Sequence, residues 1–302
     1  MIKNYIFCLI LFIGSDIIAQ QVPDMDYNPI IENPAYHSGK GPVVFIDEGH
    51  NNFHTKDGRY LAFAKVLKKD GYNIKAFKGV FESRSLNEVE ILVIANPLNE
   101  VNIDNWTLPN PSAFTDDEIK TLDEWVRQGG SLFLIVDHMP WPGASEKLAK
   151  KFGFEFINGF NISIVNPAYF WRANQTIAEN VITTGRDSTE VINRIPMTEG
   201  QAFKIPSDAQ PILTFDDACL ILLPETAWEF TSNTPIRNIK GLSQGAFKKH
   251  GKGKIVVFGE ASMFSAQIGN PGKRKMGMNN DNAKDNYKLL LNIVHWLDGI
   301  LD

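Results

Sequence analysis

Cysteine is nearly absent from this 302-residue chain, which has two in all, Cys8 and Cys219. Cys8 falls within MIKNYIFCLILFIGSDIIAQ, where a lysine near the start, an apolar centre and a small residue ahead of Gln20 make the pattern of a cleavable signal peptide, residues 1–20. Its apolar run, Tyr5 to Gly14, is shorter than the roughly 20 residues that cross a bilayer, so a retained anchor is the lesser reading. Cys8 also lacks the small residues before it that lipoprotein processing uses. The expected product is a soluble periplasmic or secreted protein without stable membrane insertion. One cysteine then remains, and no internal disulfide forms even though the compartment permits one. Stability is left to a core, which roughly 280 residues suffice to build. Heptads, low-complexity tracts and internal repeats are missing, and a net charge of −5 is too mild and of the wrong sign for a general nucleic-acid binder.

What is there alternates. Residues 21–40 are rich in Pro, Asn and Asp and read as an extended lead-in. From about residue 41 to 302 the chain reads as one domain. GPVVFID, YNIKAF, ILVIANP and SLFLIVDH have the composition of buried strands. RYLAFAKVLKKDG and TDDEIKTLDEWVRQGG, the latter with a Thr115 cap and Glu118 three residues on, have helical spacing. The alternation breaks from about 152 to 207, read as an irregular insertion. It returns with QPILTF, ACLILLP and GKGKIVVFGE, and closes on a helix whose apolar face is Leu289, Ile293, Trp296 and Leu297. Strands alternating with helices predict an α/β fold: a doubly wound, mostly parallel sheet of flavodoxin-like or glutamine-amidotransferase-like type.

In such sheets ligands sit beyond the carboxyl ends of the strands. The polar residues gather there: Asp47, Glu48, His50, Asn51, Asn52 and His54 after the first strand, Asn96 after the third, Asp137 and His138 after the fourth, Glu260 and Ser262 after the last. Each has a plainer role open to it. Asp47 suits a cap, and Glu260 suits a loop brace. His50 and His54 are four apart without an HExxH pattern, so a metal site is disfavoured. His138 precedes the stiff Met-Pro-Trp-Pro. His295 is expected in the core, His37 and His250 at the surface, and Cys219 as an inert core thiol. The basic loop Lys273–Arg274–Lys275 would draw an anionic ligand to the same rim. Trp141, Tyr169, Trp171 and Arg172 offer flat walls for a sugar, or else belong to the insertion's own core.

VVFIDEGH, DEWVRQGGSLFLIVDH and GKGKIVVFGEASMFS followed by DNAKDNYKLLLNIVHWL resemble the class I glutamine-amidotransferase-like α/β domains, in their exported Bacteroidetes branch linked to polysaccharide utilisation. The likeness spans most of the mature chain outside the insertion. The nucleophilic cysteine of that superfamily is lost: its turn is occupied by Asp137-His138-Met139, and the late strand ends in Glu260-Ala261-Ser262. Glutamine hydrolysis is therefore not expected. What the resemblance implies instead is dehydration of a non-reducing-end uronic acid, as in ulvan-type oligosaccharides, giving a 4,5-unsaturated uronyl end.

That elimination needs a base for the C5 proton, a neutraliser for the carboxylate and an acid for the departing hydroxyl, each proton transfer being worth about 10²- to 10⁴-fold. His50 and His138 are assigned as base and acid in undecided order, with His54 assisting and Asp47 or Glu48 fixing a tautomer. Asn51, Asn96, Trp141, Trp171, Arg172, Glu260, Ser262 and Arg274 form the expected binding set for an acidic oligosaccharide. No cofactor and no metal are required. Two alternatives remain: a sugar-binding or scaffolding protein without catalysis, and a metal-dependent hydrolase or esterase using Asp47, His50, His54 and His138.

Overall fold

The computed structural model describes residues 21–270 and 272–302, so the signal-peptide reading of residues 1–20 lies outside the described residues. Nine strands form one sheet. They are β1 (Val43–Asp47), β2 (Asn73–Phe77), β3 (Ile91–Ala95), β4 (Ser131–Ile135), β5 (Glu155–Phe156), β6 (Phe203–Lys204), β7 (Gln210–Thr214), β8 (Ser243–His250) and β9 (Gly253–Phe258). The order β2-β1-β3-β4-β9 is parallel throughout. Beyond it β8 runs antiparallel to β9, β7 and β6 both pair antiparallel with β8, and β5 closes that edge.

Burial explains the parallel half. β3 and β4, ILVIA and SLFLI, are buried at every position because both of their faces are covered. Successive residues point to opposite faces. Val93 and Phe133 join helices α1 (Leu61–Lys69) and α4 (Asn286–Asp298) in one core through Phe63, Val66, Leu289 and Ile293. Leu92, Ile94, Leu132 and Leu134 meet Leu122, Val126, Ala144 and Leu148 of α2 (Asp116–Gln128) and α3 (Trp141–Lys151) in the other. Among the described residues no helix is long and apolar enough to cross a membrane.

The sheet is thus mixed rather than mostly parallel, and the departures have local causes. β8, SQGAFKKH, shows no clean apolar period because Lys248 is buried along it, its ammonium reaching Asp208 at 2.7 Å. ACLILLP has the composition of a main-sheet strand, yet Cys219–Leu222 is the centre of a separate three-stranded sheet between Phe160–Ser163 and Ile236–Asn238. The irregular excursion therefore extends past 207, with β6 and β7 dipping back into the main sheet. The stiff turn at Met-Pro-Trp-Pro opens α3, since a proline in a first helical turn sacrifices no bonded N–H. His250, expected at the surface, is buried and bonds the Asp123 carboxylate of α2 at 2.6 Å.

One glycine fixes how β9 meets α2. A Cβ on Gly253 would lie 2.1 Å from the Val126 carbonyl oxygen and 2.2 Å from that of Gly130, both backbone. Gly253→Ala is expected to destabilise the domain by about 2–3 kcal/mol through overpacking, measured by chemical denaturation.

Candidate functional site

The polar residues at the strand ends fall into two clusters. In the first, the Asp47 carboxylate, fully buried at the end of β1, accepts from the Gly49 amide (3.1 Å), the Asn52 amide nitrogen (3.0 Å) and His50 Nδ1 (3.0 and 2.9 Å). His50 Nε2 donates to Glu118 Oε1 at 2.9 Å. Phe81 stacks on the ring at 4.4 Å and Phe114 tilts against it at 4.9 Å. With a carboxylate on each nitrogen both must donate, and His50 is an imidazolium. Burial works against that charge, but the hydrogen bonds and charges of Asp47 and Glu118 outweigh it and hold its pKa above 6.5.

In the sequence Glu118 is legible only as the third residue of a capping box, and that box is present: its other oxygen accepts from Thr115 N and Oγ1, each at 2.9 Å. Burial opposes its ionisation, while His50, Thr115 and Phe81 together keep it below the ordinary carboxylate value. Tight backbone makes the cluster possible, since a Cβ on Gly49 would come 2.3 Å from the Gly79 carbonyl oxygen.

The second cluster is built from β3, β4 and β9. Asn96, with φ +48°, accepts the Asp137 amide on Oδ1 at 2.8 Å and so turns its NH₂ to His54 Nδ1 at 3.2 Å. Asp137 accepts from the His138 amide (2.7 Å) and the Ala261 amide (3.4 Å). Glu260, fully buried, accepts from the Ser262 amide at 2.7 Å, the Ser262 hydroxyl and the Met263 amide at 2.6 Å. Burial raises Glu260 to about 7 against those donors. Burial, and then the charge of Glu260, push Asp137 well above the usual carboxylate range. The two acids hold a proton near neutrality.

His138 follows Asp137 just beyond the end of β4. Its Nδ1 donates to the Met139 carbonyl at 2.7 Å, while Nε2 makes no hydrogen bond among the described residues. Phe160 stacks on it at 4.3 Å, with Trp228 at 4.7 Å, Trp141 at 4.8 Å and Trp106 at 6.4 Å around it. Burial lowers its pKa to about 3, so the ring is neutral with its lone pair on Nε2. Trp228 is 48% exposed and has φ +69°, a conformation bulky residues rarely hold.

The sequence-predicted residues are therefore divided. His54, Asn96, Asp137, His138, Trp141, Glu260 and Ser262 share the second cluster, whereas Asp47 and His50 form the first. Glu48 is half-buried and accepts from the Lys56 amide at 2.9 Å; Asn51, with φ +49°, donates to the Leu98 carbonyl at 3.2 Å. Trp171 and Arg172 belong to the insertion: Tyr169–Trp171 pairs with Arg194–Pro196, Arg194 stacks on Trp171, and Arg172 holds the Ile192 and Thr183 carbonyls. Arg274 lies exposed on a hairpin strand paired with Ala266–Gly269. The pairing of His50 with His138 as base and acid finds no support, because both nitrogens of His50 are occupied. Among the described residues no three His, Cys, Asp or Glu side chains are arranged to hold a metal ion. A surface cleft of about 1060 Å³ opens between Asp24–Pro29 and the Lys275–Lys288 segment, and His50, His54 and His138 do not line it. Trp106, Phe160 and Trp228 escape sequence reasoning; as lone aromatics in irregular stretches they carry no periodic signal.

No protein-family model and no curated protein matches the chain. Among solved structures, the mmIFT52 N-terminal domain is similar at 15% identity with a TM-score of 0.60, over 84% of this chain and 97% of that one. The cytoplasmic proteins STM1381 from Salmonella typhimurium LT2 and STM3548 from Salmonella typhimurium are each 14% identical over 85% of this chain, with TM-scores of 0.51 and 0.50 and 99% and 98% of their own lengths covered. This chain shares their fold. The expected membership among glutamine-amidotransferase-like domains is thereby corrected, and with it the ulvan-type link drawn through that family. The misleading segments, VVFIDEGH among them, are what any buried parallel strand feeding a polar loop looks like. At such identities the likeness concerns fold alone.

Both clusters carry a stability signature. His50→Gln strands two buried carboxylates without their cation and is expected to cost about 3–5 kcal/mol. Because the folded-state pKa of His50 is raised, that contribution is complete below about pH 6.5 and is lost as pH rises through the raised value. The carboxyl pair has its own window. Glu260 titrates near 7 when folded and 4.5 when unfolded, so between these values the folded state binds more protons and stability falls with rising pH. Asp137→Asn removes a carboxyl that burial forces to stay protonated above its ordinary range, a cost that grows as pH rises, and should gain on the wild type by at least about 1 kcal/mol between about pH 5 and pH 8, read from denaturation midpoints.

Proposed function

We propose that the protein binds the end of an acidic oligosaccharide at the aromatic rim around His138 and eliminates water from its terminal uronic acid. The observation that carries this is the His138 ring itself: Nδ1 committed to a backbone carbonyl, Nε2 without a partner, and four aromatic side chains around it, one of them a half-exposed tryptophan. Flat rings bordering one hydrogen-bonding group suit a sugar, whose C–H face stacks while its hydroxyls find polar partners. The parallel strands β2-β1-β3-β4-β9, read as the doubly wound half of the sheet, supply the loops that lead to this rim.

In this reading His138 Nε2 takes the C5 proton, the C5–H electron pair becomes the C4–C5 double bond, and the C4–O bond breaks. The leaving hydroxide takes the proton held by the Asp137–Glu260 pair and departs as water. His138 is neutral when the site is empty, and a uronate carboxylate beside it raises its basicity. His50 acts through position: its two ion pairs anchor the loop that carries His54. The chain enters this role as an exported protein, on the sequence reading of its first 20 residues.

One observation favours a second reading, sugar binding without turnover: burial leaves His138 a weak base, with a pKa of about 3. Incubation with a glucuronate-ended oligosaccharide separates the two. An enzyme lowers the mass by one water and raises far-ultraviolet absorbance, the band of an alkene conjugated to a carboxylate, and His138→Gln abolishes both while retaining binding. Binding with unchanged mass across acidic and neutral pH leaves the second reading. Trp228→Ala should weaken binding by about 10-fold in either case, measured by calorimetry.

A further inference from the structure

We infer that Arg59 and His54 form an anion-recognition site beside the aromatic rim, taking the carboxylate of the acidic sugar. The sugar rests on the proposed uronate chemistry at His138; the anion rests on Arg59 and His54 alone.

Arg59 is a half-buried guanidinium with no carboxylate within ion-pair distance among the described residues. Its Nη1 donates to Gln21 Oε1 at 2.9 Å and Gln267 Oε1 at 2.7 Å, and its Cζ sits 4.1 Å from the centroid of the Phe53 ring. Two neutral amide oxygens and a ring face orient the group without cancelling its charge. Withdrawing a cation from water is unfavourable, and a counter-ion offsets that cost. Of the other half-buried arginines, Arg186 is matched by Glu190, Arg172 is taken up by two backbone carbonyls and Arg194 by two aromatic rings.

His54 gives the second, independent sign. It is 3% exposed, and its Nε2 is buried without any hydrogen-bond partner. The amide of Asn96 decides the tautomer. Its oxygen takes the Asp137 N–H, so its NH₂ faces His54 Nδ1, and the ring proton of the neutral histidine must lie on Nε2. That is a buried donor lacking an acceptor, and the Trp141 indole N–H is another. Phe53 joins the parts: His54 is 5.7 Å and Trp141 5.1 Å from it, ring to ring, on a residue that already carries Arg59. Burial, then the charge of Arg59, keeps His54 well below its usual pKa, so it stays a neutral donor.

A carboxylate is all acceptor and planar, and a guanidinium fork matches it bidentately. One such group satisfies the cation and the buried N–H together. A neutral hydroxyl does not. In the cleft beyond Asp24, Lys275 pairs with Asp281 at 3.6 Å and the half-buried Lys288 with Asp285 at 3.8 Å.

The test compares D-glucuronate, D-glucose and inorganic sulfate by calorimetry on the full exported chain, with histidine-ring ¹H–¹⁵N spectra as a second readout. Wild type should favour glucuronate over glucose by about 10-fold or more, with the His54 ring signals moving. Arg59→Met should lose about 10- to 100-fold for glucuronate, falling to the glucose level, while Arg59→Lys, which keeps the charge but not the fork, recovers part. Unchanged near-ultraviolet circular dichroism certifies the fold of each variant. If Arg59→Met keeps the wild-type preference, or no anion binds the wild type, the inference is overturned. If sulfate binds the wild type and not Arg59→Met while both sugars fail, the anion site stands and the sugar reading falls.

Discussion

A single imidazolium held between two carboxylates is the constraint on which the strand-end architecture depends. Asp47 ends β1, Glu118 begins α2, and His50 spans them with one N–H on each. Neither acid has another cation in contact among the described residues, so the bridge must be complete or absent. A partly made buried ion pair is worse than none, whereas a fully satisfied one specifies a single arrangement. The bridge fixes the path of residues 47–54, and that path delivers His54 to Asn96 and Phe53 to the tryptophans.

Environment then sets three different charge states on side chains of ordinary chemistry. His50 is cationic because acids meet both nitrogens. His54 and His138 are neutral because burial acts with little to oppose it. Asp137 and Glu260 retain a proton because they are buried close together, and the amides that cap them do not offset the loss of water. Cation, neutral ring and proton-bearing acid therefore coexist over a few strand ends, a separation of roles that solution values alone would never produce.

The parallel half of the fold is legible from its strands: ILVIA and SLFLI advertise burial on both faces, and the Thr115–Glu118 box marks a helix start. Of the antiparallel half only β7 is legible, as QPILTF; β8 hides behind its lysines, and β5 and β6 are two-residue pieces inside irregular chain. At the site, the crowding of Asp47, His50, His54, Asp137, His138 and Glu260 at strand ends is visible in the sequence. Which histidine is spent on carboxylates and which stays open is not, because that turns on Glu118, 68 residues away in the chain from His50. Arg59 looks like the first residue of an amphipathic helix. Its missing counter-charge is a fact about neighbours in space.

The segment bearing Trp228 is joined to residues 106–108 by few backbone bonds, and its remaining hold is the packing of Ala227, Trp228 and Phe230 on Phe160 and His138. Thr107 and Thr226 form an isolated bridge, and backbone bonds from Leu108 to Glu225 and from Ala227 to Trp106 complete the seam. Opening costs least where fewest bonds must break. Separating this segment from residues 106–108 would uncover the His138 and Phe160 rings on which Trp228 packs, while β3, β4 and β9 kept their pairing.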